Sequence, residues 1–158
     1  MPIFKPTIRL HRVTQITAEL LKECGIKALV LDVDNTLTTH NNPIPDREVL
    51  IWLDEIKAAG IKLVLLSNNS AKRIRPFAEG LELEYTSRAC KPLTFGLART
   101  AKKLGLPATE IAMVGDQIFT DVMAGNLFGA ASILVAPMEP ETGPLFRFKR
   151  MLERRILK

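Results

Sequence analysis

Two aspartates, Asp32 and Asp34, stand two positions apart where an apolar run ends, in the segment LVLDVDNTLT (29–38). In an extended strand, residues at positions i and i+2 point to the same side, so both carboxylates should face one place just beyond the strand. Two carboxylates held that close repel each other unless a cation or a shared proton compensates. A solvated strand end is the alternative explanation for an isolated Asp-x-Asp, and the rest of the chain decides between the two.

Polar residues suited to phosphate chemistry recur after the later apolar runs. Ser67 and Asn68 follow the second run, Lys91 precedes a proline in a later link, and Asp116 and Asp121 follow another run. The carboxyl ends of parallel strands meet at one edge of a doubly wound sheet, where ligands bind. These side chains are therefore predicted to converge on one crevice.

Such a set suits phosphoryl transfer, which depends on positioning and on electrostatic stabilisation of the phosphoryl oxygens. One carboxylate can attack phosphorus and form an aspartyl-phosphate. A second can protonate the leaving oxygen and later take a proton from water. Because a carboxylate and a phosphate repel each other, Mg²⁺ held by carboxylates is expected to neutralise both. A hydroxyl, backbone N–H groups and a lysine can hold the remaining phosphate oxygens.

The apolar pattern predicts the elements that position these residues. Four short apolar runs lack polar alternation, which is typical of strands covered on both faces in a parallel sheet. Amphipathic segments separate them, and this alternation predicts a single doubly wound, Rossmann-like α/β sheet flanked by helices. The predicted strands are 28–31, 63–66, 111–114 and 132–135, with a fifth near 83–86, and the predicted helices lie at about 17–24, 46–60, 92–105 and 120–129.

The motifs DVDNT (32–36), LLSNN (65–69), CKP (90–92) and GDQIFTD (115–121) follow one another at successive predicted strand ends. Together they resemble the haloacid dehalogenase superfamily, whose members carry Asp-x-Asp-x-Thr, then Ser or Thr, then Lys, then a paired acidic motif. The resemblance implies a phosphatase that uses Mg²⁺. The links between the motifs are already occupied by predicted helices and strands, so a core without a cap domain is expected.

The resemblance also implies a role for each matching acid. Asp32 would be the nucleophile and a metal ligand. Asp34 would be the general acid and base, and its backbone carbonyl would bind the metal. Asp116 would be a further metal ligand, and Asp121 would contact the metal-bound water or the lysine of the third motif.

Three other residues are implied to act on the phosphate. Ser67 and the backbone of Asn68 would bind the phosphate oxygens, and Lys91 would steady both the nucleophile and the phosphate charge. Thr36 is expected to secure the first loop by hydrogen bonding. His40 follows the first motif and could reach the mouth of the site, although a solvated loop residue is the favoured interpretation. The single tryptophan, Trp52, is expected to be a core or helix-surface residue.

The entry GIKALVLDVDNTL (25–37) and the tail FRFKRMLERRILK (146–158) resemble the YqeG-type subgroup of the superfamily. That subgroup includes a mitochondrial phosphatidylglycerophosphate phosphatase, which implies a lipid head group as the phosphorylated substrate. An open, capless crevice also favours large or surface-bound substrates, because small metabolites need more enclosure. The alternatives are a capless phosphatase acting on phosphoprotein or nucleic-acid ends, and a non-enzymatic RNA-binding module.

Charge is unevenly distributed along the 158 residues, which carry a net charge of +5. The tail 144–158 alone has six basic residues and one acid, and the arm 1–13 has three basic residues and no acid. We interpret the chain as one domain, 1–158, with a basic N-terminal arm and a basic amphipathic tail. In the tail, the apolar residues Leu145, Phe148, Leu152 and Ile156 recur at helical spacing, with Arg147, Arg150, Arg154 and Arg155 largely off that line.

Such a tail can lie on an anionic membrane or bind nucleic acid, and a solvated helix or one packed on the core explains it equally well. No apolar run reaches the length of a membrane span, and the first residues do not read as a signal peptide. Cys24 and Cys90 form no metal-binding spacing. A cytoplasmic protein with peripheral membrane contact is expected, and the oligomeric state is left open.

Overall fold

A computed structural model describes residues 2–40, 42–140 and 142–158. Its centre is a six-stranded sheet in which every pairing is parallel, in the order β1-β6-β5-β2-β3-β4. The strands are β1 Ile8–Leu10, β2 Ala28–Leu31, β3 Lys62–Leu66, β4 Glu84–Thr86, β5 Ile111–Gly115 and β6 Ala131–Val135. The predicted doubly wound parallel sheet is confirmed, including the fifth predicted strand at β4.

Six α-helices connect or flank the strands in the described part of the chain. Two 3-10 turns, Val13–Gln15 and Ala108–Glu110, and one π-helical turn, Ile118–Val122, interrupt the connections. The α-helices are α1 Ala18–Glu23, α2 Arg47–Ala58, α3 Ala71–Gly80, α4 Phe95–Leu104, α5 Met123–Phe128 and α6 Pro144–Ile156.

The central strands are buried on both faces, as their apolar sequences predict. All four residues of β2 are fully buried, and Leu29 and Leu31 belong to a different core cluster from Ala28 and Val30. The first cluster packs helices α1, α2 and α3 on one face, and the second packs α4 and α5 on the other. This two-sided packing fixes which residues leave the carboxyl edge of the sheet.

Helix α2 shows how the sequence specifies an element. Its stripe of Val49, Leu53 and Ile56 is buried, as the helical spacing predicts. Trp52 is also buried and donates its indole N–H to the carbonyl of Ile16 at 2.8 Å. It is therefore a core residue whose one polar atom has a partner.

Three local features differ from the sequence predictions. Strand β1 was not predicted, because Arg9 and the prolines around it conceal a short edge strand, so the N-terminal arm is partly built into the sheet. Helix α4 begins at Phe95, three residues after Pro92. The predicted helix 120–129 is present as the six-residue α5, but the residues before Met123 form a π-helical turn instead of an α-helical one.

The connections between the motif residues contain no cap domain within the described residues. Between Asp34 and Ser67 lie a loop, α2 and β3, and between Lys91 and Asp116 lie α4, a 3-10 turn and β5. No helix in the described ranges has both the length and the apolar character that a membrane span needs. The crevice at the carboxyl edge of the sheet is thus left uncovered by any inserted unit.

Gly96 allows helix α4 to approach the loop that carries Lys91. A Cβ atom on Gly96 would lie 2.6 Å from the Cβ and 2.8 Å from the Cα of Ala89. We expect Gly96→Ala to destabilise the protein by about 1–3 kcal/mol, because backbone would have to shift to admit the methyl group. Urea unfolding measures this change.

Gly80→Ala is the matched control, because Gly80 is also helical and nothing lies within 4 Å of the added Cβ. Its stability should be unchanged or higher by up to about 1 kcal/mol, since alanine is the better helix former. Equal stability of the two variants would contradict the close-approach explanation.

Candidate active site

Three adjacent strands deliver the first polar residues to one place. Asp32 follows β2, Ser67 follows β3 and Asp116 follows β5, and these strands are neighbours in the sheet. The backbone N–H of Asp32 still donates to the carbonyl of Val114 at 2.9 Å, so the ladder of hydrogen bonds holds the first aspartate in register. The predicted convergence at the carboxyl edge follows from this pairing.

Asp32 and Ser67 line a small open crevice of about 140 Å³. A larger cavity of about 440 Å³ lies beside Thr36, but its lining contains none of the predicted catalytic, phosphate-binding or metal-binding residues. We therefore place the candidate active site in the smaller crevice. Its lining comprises Asp32, Asp34, His40, Ser67, Asn68, Asn69, Lys91, Gln117 and Thr120.

Lys91 lies at the centre of the acidic residues, with a side chain that is only 4% exposed. Its Nζ donates to Asp32 Oδ1 at 2.8 Å and to Asp121 Oδ1 at 2.7 Å. Burial alone would lower the pKa of Lys91, but the charges and hydrogen bonds of Asp121 and Asp32 outweigh burial and raise the pKa above its ordinary value. Lys91 is a fixed positive charge against the predicted nucleophile.

The two acids of the fourth motif are buried and resist ionisation. Burial, followed by the negative charge of Asp32, raises the pKa of Asp121 to about 6, although Lys91 opposes the shift. Burial and the same neighbouring charges raise the pKa of Asp116 well above its ordinary range, and Arg150 opposes that shift. The negative charge of the cluster therefore favours the binding of an additional cation.

One carboxylate oxygen from each of Asp32, Asp116 and Asp121 lies within 4.8 Å of the other two. Hard oxygen donors at this separation fit a Mg²⁺ ion, which prefers carboxylate and water ligands. The structure thus brings Asp121 into the same cluster as the two predicted carboxylate ligands. Thr36 bridges the cluster as expected, with its Oγ1 3.3 Å from Asp32 Oδ2 and 3.4 Å from Asp116 Oδ1.

The side chain of Asp34 points to the mouth of the crevice and lies outside this acidic cluster. It is 31% exposed, and its Oδ2 accepts a hydrogen bond from Asn69 Nδ2 at 3.3 Å. His40 Nδ1 lies 3.9 Å from the same oxygen and its side chain is 47% exposed, so His40 reaches the mouth of the crevice while it stays in contact with solvent. A carboxyl group here can exchange protons with a substrate and with solvent.

Ser67 and Asn68 also line the crevice. Ser67 Oγ accepts a hydrogen bond from the N–H of Asn69 at 3.0 Å, and its own hydroxyl hydrogen can be donated into the crevice. The Asn68 side chain accepts from the N–H of Lys91 at 2.8 Å and donates to its carbonyl at 3.3 Å. Asn68 therefore positions the lysine loop, a role that the sequence did not predict.

Arg150 and Glu153 of helix α6 also reach the site, and sequence reasoning missed both. The grouping of Arg150 with the outward basic residues of the tail is wrong, because its side chain is 19% exposed and its Nη2 donates to Asp116 Oδ2 at 2.7 Å. Glu153 is buried and accepts the N–H of Ile118 at 2.8 Å. Their i, i+3 spacing, which allows an ion pair on one helix face, was the only sequence signal for this contact. Counting the tail by its net charge did not distinguish these two residues from the others.

Comparison with known proteins identifies the family. Residues 44–129 match the family haloacid dehalogenase-like hydrolase, and residues 2–82 match the family Mitochondrial PGP phosphatase. A probable phosphatase of Bacillus subtilis, YqeG, is 36% identical over 98% of this chain and 90% of its own length. The chain belongs to the haloacid dehalogenase-like hydrolases.

Two further likenesses of this haloacid dehalogenase-like hydrolase differ in what they show. A phosphatidylglycerophosphate phosphatase of Arabidopsis thaliana is 30% identical over 97% of this chain, but the chain spans about half, 47%, of that relative. An uncharacterised protein from Listeria monocytogenes superposes with a TM-score of 0.60 at 17% identity, covering 82% of this chain and 99% of that one. The second likeness shows the fold alone. The chain is a capless phosphatase of this family, and the non-enzymatic alternative is set aside.

The raised pKa values predict a pH-dependent response to Mg²⁺. The folded state binds the Asp121 proton more tightly than the unfolded chain does, so ionising this group opposes folding above pH about 6. This penalty disappears as the pH falls through that value towards the ordinary pKa of about 3.9. Mg²⁺ should therefore raise the melting temperature more at about pH 7.5 than at about pH 5, where protons compete with the ion.

Thermal unfolding with and without Mg²⁺ at the two pH values measures this difference. Asp121→Asn should reduce the pH dependence, whereas Asp54→Asn, which changes an exposed acid of α2, should preserve it. Equal stabilisation by Mg²⁺ at both pH values would contradict the predicted competition.

Proposed function

We propose that this chain hydrolyses phosphate monoesters through an aspartyl-phosphate on Asp32, with Mg²⁺ as cofactor. The observation that carries the proposal is the position of Lys91, whose Nζ contacts both Asp32 and Asp121 while Asp116 completes the acidic cluster. A buried lysine against one carboxylate oxygen orients that group and offsets charge that develops on a phosphoryl group. A strand end that merely faces solvent would need none of these contacts.

In the proposed first step, a carboxylate oxygen of Asp32 forms a bond to phosphorus as the bond from phosphorus to the leaving oxygen breaks. Asp34 gives its proton to that leaving oxygen, which departs as an alcohol. In the second step, Asp34 takes a proton from water as the water oxygen attacks phosphorus. The acyl-phosphate bond then breaks, which returns Asp32 and releases inorganic phosphate.

The remaining residues position the phosphoryl group. Ser67 and the backbone N–H of Asn68 donate to its oxygens, and Lys91 supplies a fixed charge between the nucleophile and the phosphate. Asp32, Asp116 and the backbone carbonyl of Asp34 would hold Mg²⁺, and Asp121 would contact Lys91 and a metal-bound water. A bound Mg²⁺ neutralises charge between the nucleophile and the phosphate.

Substitution of the two aspartates of the first motif separates their roles. Asp32→Asn should abolish turnover, because an amide is a poor nucleophile and a poorer metal ligand. Asp34→Asn should lower kcat by about 10²–10⁴-fold yet keep metal binding, because its backbone carbonyl survives. Hydrolysis of a soluble phosphate ester and Mn²⁺ binding measure the two effects, with Asp54→Asn as the exposed-acid control. Wild-type turnover by Asp32→Asn would contradict the assignment.

We further propose that the substrate is the terminal phosphate of phosphatidylglycerophosphate. The match of residues 2–82 to a phosphatidylglycerophosphate phosphatase family and the Arabidopsis relative support this substrate. The crevice supports it independently, because about 140 Å³ of open space suits a phosphate head group and leaves no enclosure for a whole small metabolite.

Helix α6 supports contact with a lipid surface. Three of the four residues of its apolar line are exposed, Leu145 to 67%, Phe148 to 53% and Ile156 to 39%, whereas Leu152 is half-buried. Exposed apolar residues beside basic ones fit an anionic membrane interface. The proposal places the protein in the cytoplasm in peripheral contact with the inner face of the membrane.

Replacing the outward arginines of α6 tests this contact. Arg147→Gln, Arg154→Gln and Arg155→Gln together should weaken binding to phosphatidylglycerol vesicles in a salt-dependent way, because each basic residue contributes about 1 kcal/mol. Turnover of phosphatidylglycerophosphate in vesicles should fall, while hydrolysis of a soluble ester should stay the same. Cosedimentation and phosphate release measure the two effects. Arg150 is left intact because it contacts Asp116.

Undiminished vesicle binding by this folded triple variant would contradict the membrane proposal. Loss of RNA affinity in its place would favour the alternative of a phosphatase acting on nucleic-acid ends, since such binding also falls steeply with salt. A substrate panel of phosphatidylglycerophosphate, a phosphosugar, a nucleotide and a phosphopeptide then ranks the candidate substrates.

A further inference from the structure

The inner face of helix α6 is bonded to the predicted metal ligand Asp116. Arg150 Nη2 donates to Asp116 Oδ2 at 2.7 Å, and Arg150 Nη1 donates to the backbone carbonyl of the same residue at 2.6 Å. A single guanidinium therefore holds both the side chain and the backbone of Asp116. A planar guanidinium is suited to such a two-point contact, whereas a lysine ammonium is not.

Glu153 holds the arginine in turn. Arg150 Nη1 donates to Glu153 Oε2 at 2.8 Å, and Glu153 Oε1 accepts the N–H of Ile118, two residues after Asp116. Glu153 is 6% exposed and Asp116 is 1% exposed. The pair Arg150 and Glu153 thus grips the loop 116–118 at three points.

The ion pair of Arg150 and Glu153 is not needed merely to attach helix α6 to the protein. Desolvating two charges is costly, and apolar packing would attach α6 as well. Leu157, next to the end of the helix, already packs on Ile118, Val122 and Leu134. The charged groups are directed at one carboxylate and its own backbone, which points to a role in orienting that carboxylate.

The direction of the contact leaves the other carboxylate oxygen available. Asp116 Oδ2 faces Arg150, whereas Oδ1 faces Thr36 Oγ1, which also lies 3.3 Å from Asp32 Oδ2. Oδ1 is therefore the oxygen on the side of the nucleophile. A carboxylate held by one oxygen cannot rotate the other one away from that side.

We propose that Arg150, held by Glu153, is a positioning residue that orients Asp116 so that its Oδ1 faces the side of Asp32, where the two carboxylates would hold a metal ion. This inference rests on the proposed function in that it takes Asp116 as a metal ligand. Helix α6 then contributes to the active site, although it lies outside all four sequence motifs. Groups that hold metal-binding side chains in place affect metal affinity strongly when removed.

The sign of the effect separates positioning from competition. Arg150 carries a positive charge, so electrostatics alone predict that its removal strengthens cation binding. An arginine that merely blocked the metal site would give the same result. Weaker metal binding after loss of a nearby positive charge is opposite in sign to the direct electrostatic effect of that charge on the cation, and it is expected when the arginine orients a ligand.

Direct titration of the full-length, metal-free protein with Mn²⁺, followed by calorimetry or by the Mn²⁺ electron paramagnetic resonance signal, tests this inference without substrate. Arg150→Gln should weaken Mn²⁺ binding by about tenfold or more, and Glu153→Gln should weaken it less, as expected for groups that support a metal ligand. Arg150→Lys should fall between wild type and Arg150→Gln. Saturating Mg²⁺ should restore much of the turnover of Arg150→Gln.

Lys149→Gln is the matched control, because it removes the same charge from the adjacent position of α6, where Lys149 lies over the ring of Phe146. Its Mn²⁺ affinity should stay within about twofold of wild type, since its ammonium lies over the ring of Phe146 and not against Asp116. Thermal unfolding of each metal-free variant verifies folding. If Arg150→Gln does not fold, Arg150→Lys and Glu153→Gln carry the test.

Unchanged or tighter Mn²⁺ binding by folded Arg150→Gln overturns the inference, as does an equal loss in Lys149→Gln. Its failure is distinguishable from failure of the proposed function. If the wild type hydrolyses the ester and Arg150→Gln binds Mn²⁺ as well as the wild type does, only the positioning role is contradicted. Absence of ester hydrolysis in wild type with weakened Mn²⁺ binding in Arg150→Gln sinks the proposed function and keeps the positioning role.

Discussion

Repulsion among three closely spaced carboxylates, two of them buried, is the constraint on which this site depends. Asp32, Asp116 and Asp121 come together because β2 and β5 are adjacent and end at one edge of the sheet. Burial makes that repulsion strong, since little water screens it. Lys91 contacts Asp32 and Asp121, Arg150 contacts Asp116, and the two cations offset part of this charge. The remaining negative charge is what a divalent cation can satisfy.

The local backbone follows from the same cluster. The last position of β5, Gly115, requires glycine because a Cβ atom there would overlap the carboxyl group of Asp121. The π-helical turn Ile118–Val122 returns Asp121 towards Lys91, and the N–H of Gln117 donates to Asp121 Oδ2 at 3.2 Å. Wide helical turns of this kind occur often at functional sites. The fourth motif therefore encodes a backbone shape as well as two acids.

Sequence reasoning succeeded where one physical rule connects distant positions. Continuous apolar runs imply parallel strands, and parallel strands bring their carboxyl ends together, so Asp32, Ser67 and Asp116 could be placed in one crevice. The rule does not say which face of the terminal helix packs inward. Arg150 is one of six basic residues in 144–158, and its inward direction depends on helix docking through Leu157. Strand β1 was missed for a related reason, because an edge strand needs little apolar sequence.

Helix α6 would join two functions if both proposals for it hold. Its inner face holds Asp116 through Arg150, while its outer face presents an apolar line and basic residues. A cap domain would enclose the substrate, and this crevice has no such domain within the described residues. If the outer face rests on a lipid surface, the same rigid helix fixes the position of the surface relative to Asp116. The membrane would then provide the enclosure, and the helix would keep the phosphate-binding crevice aligned with it.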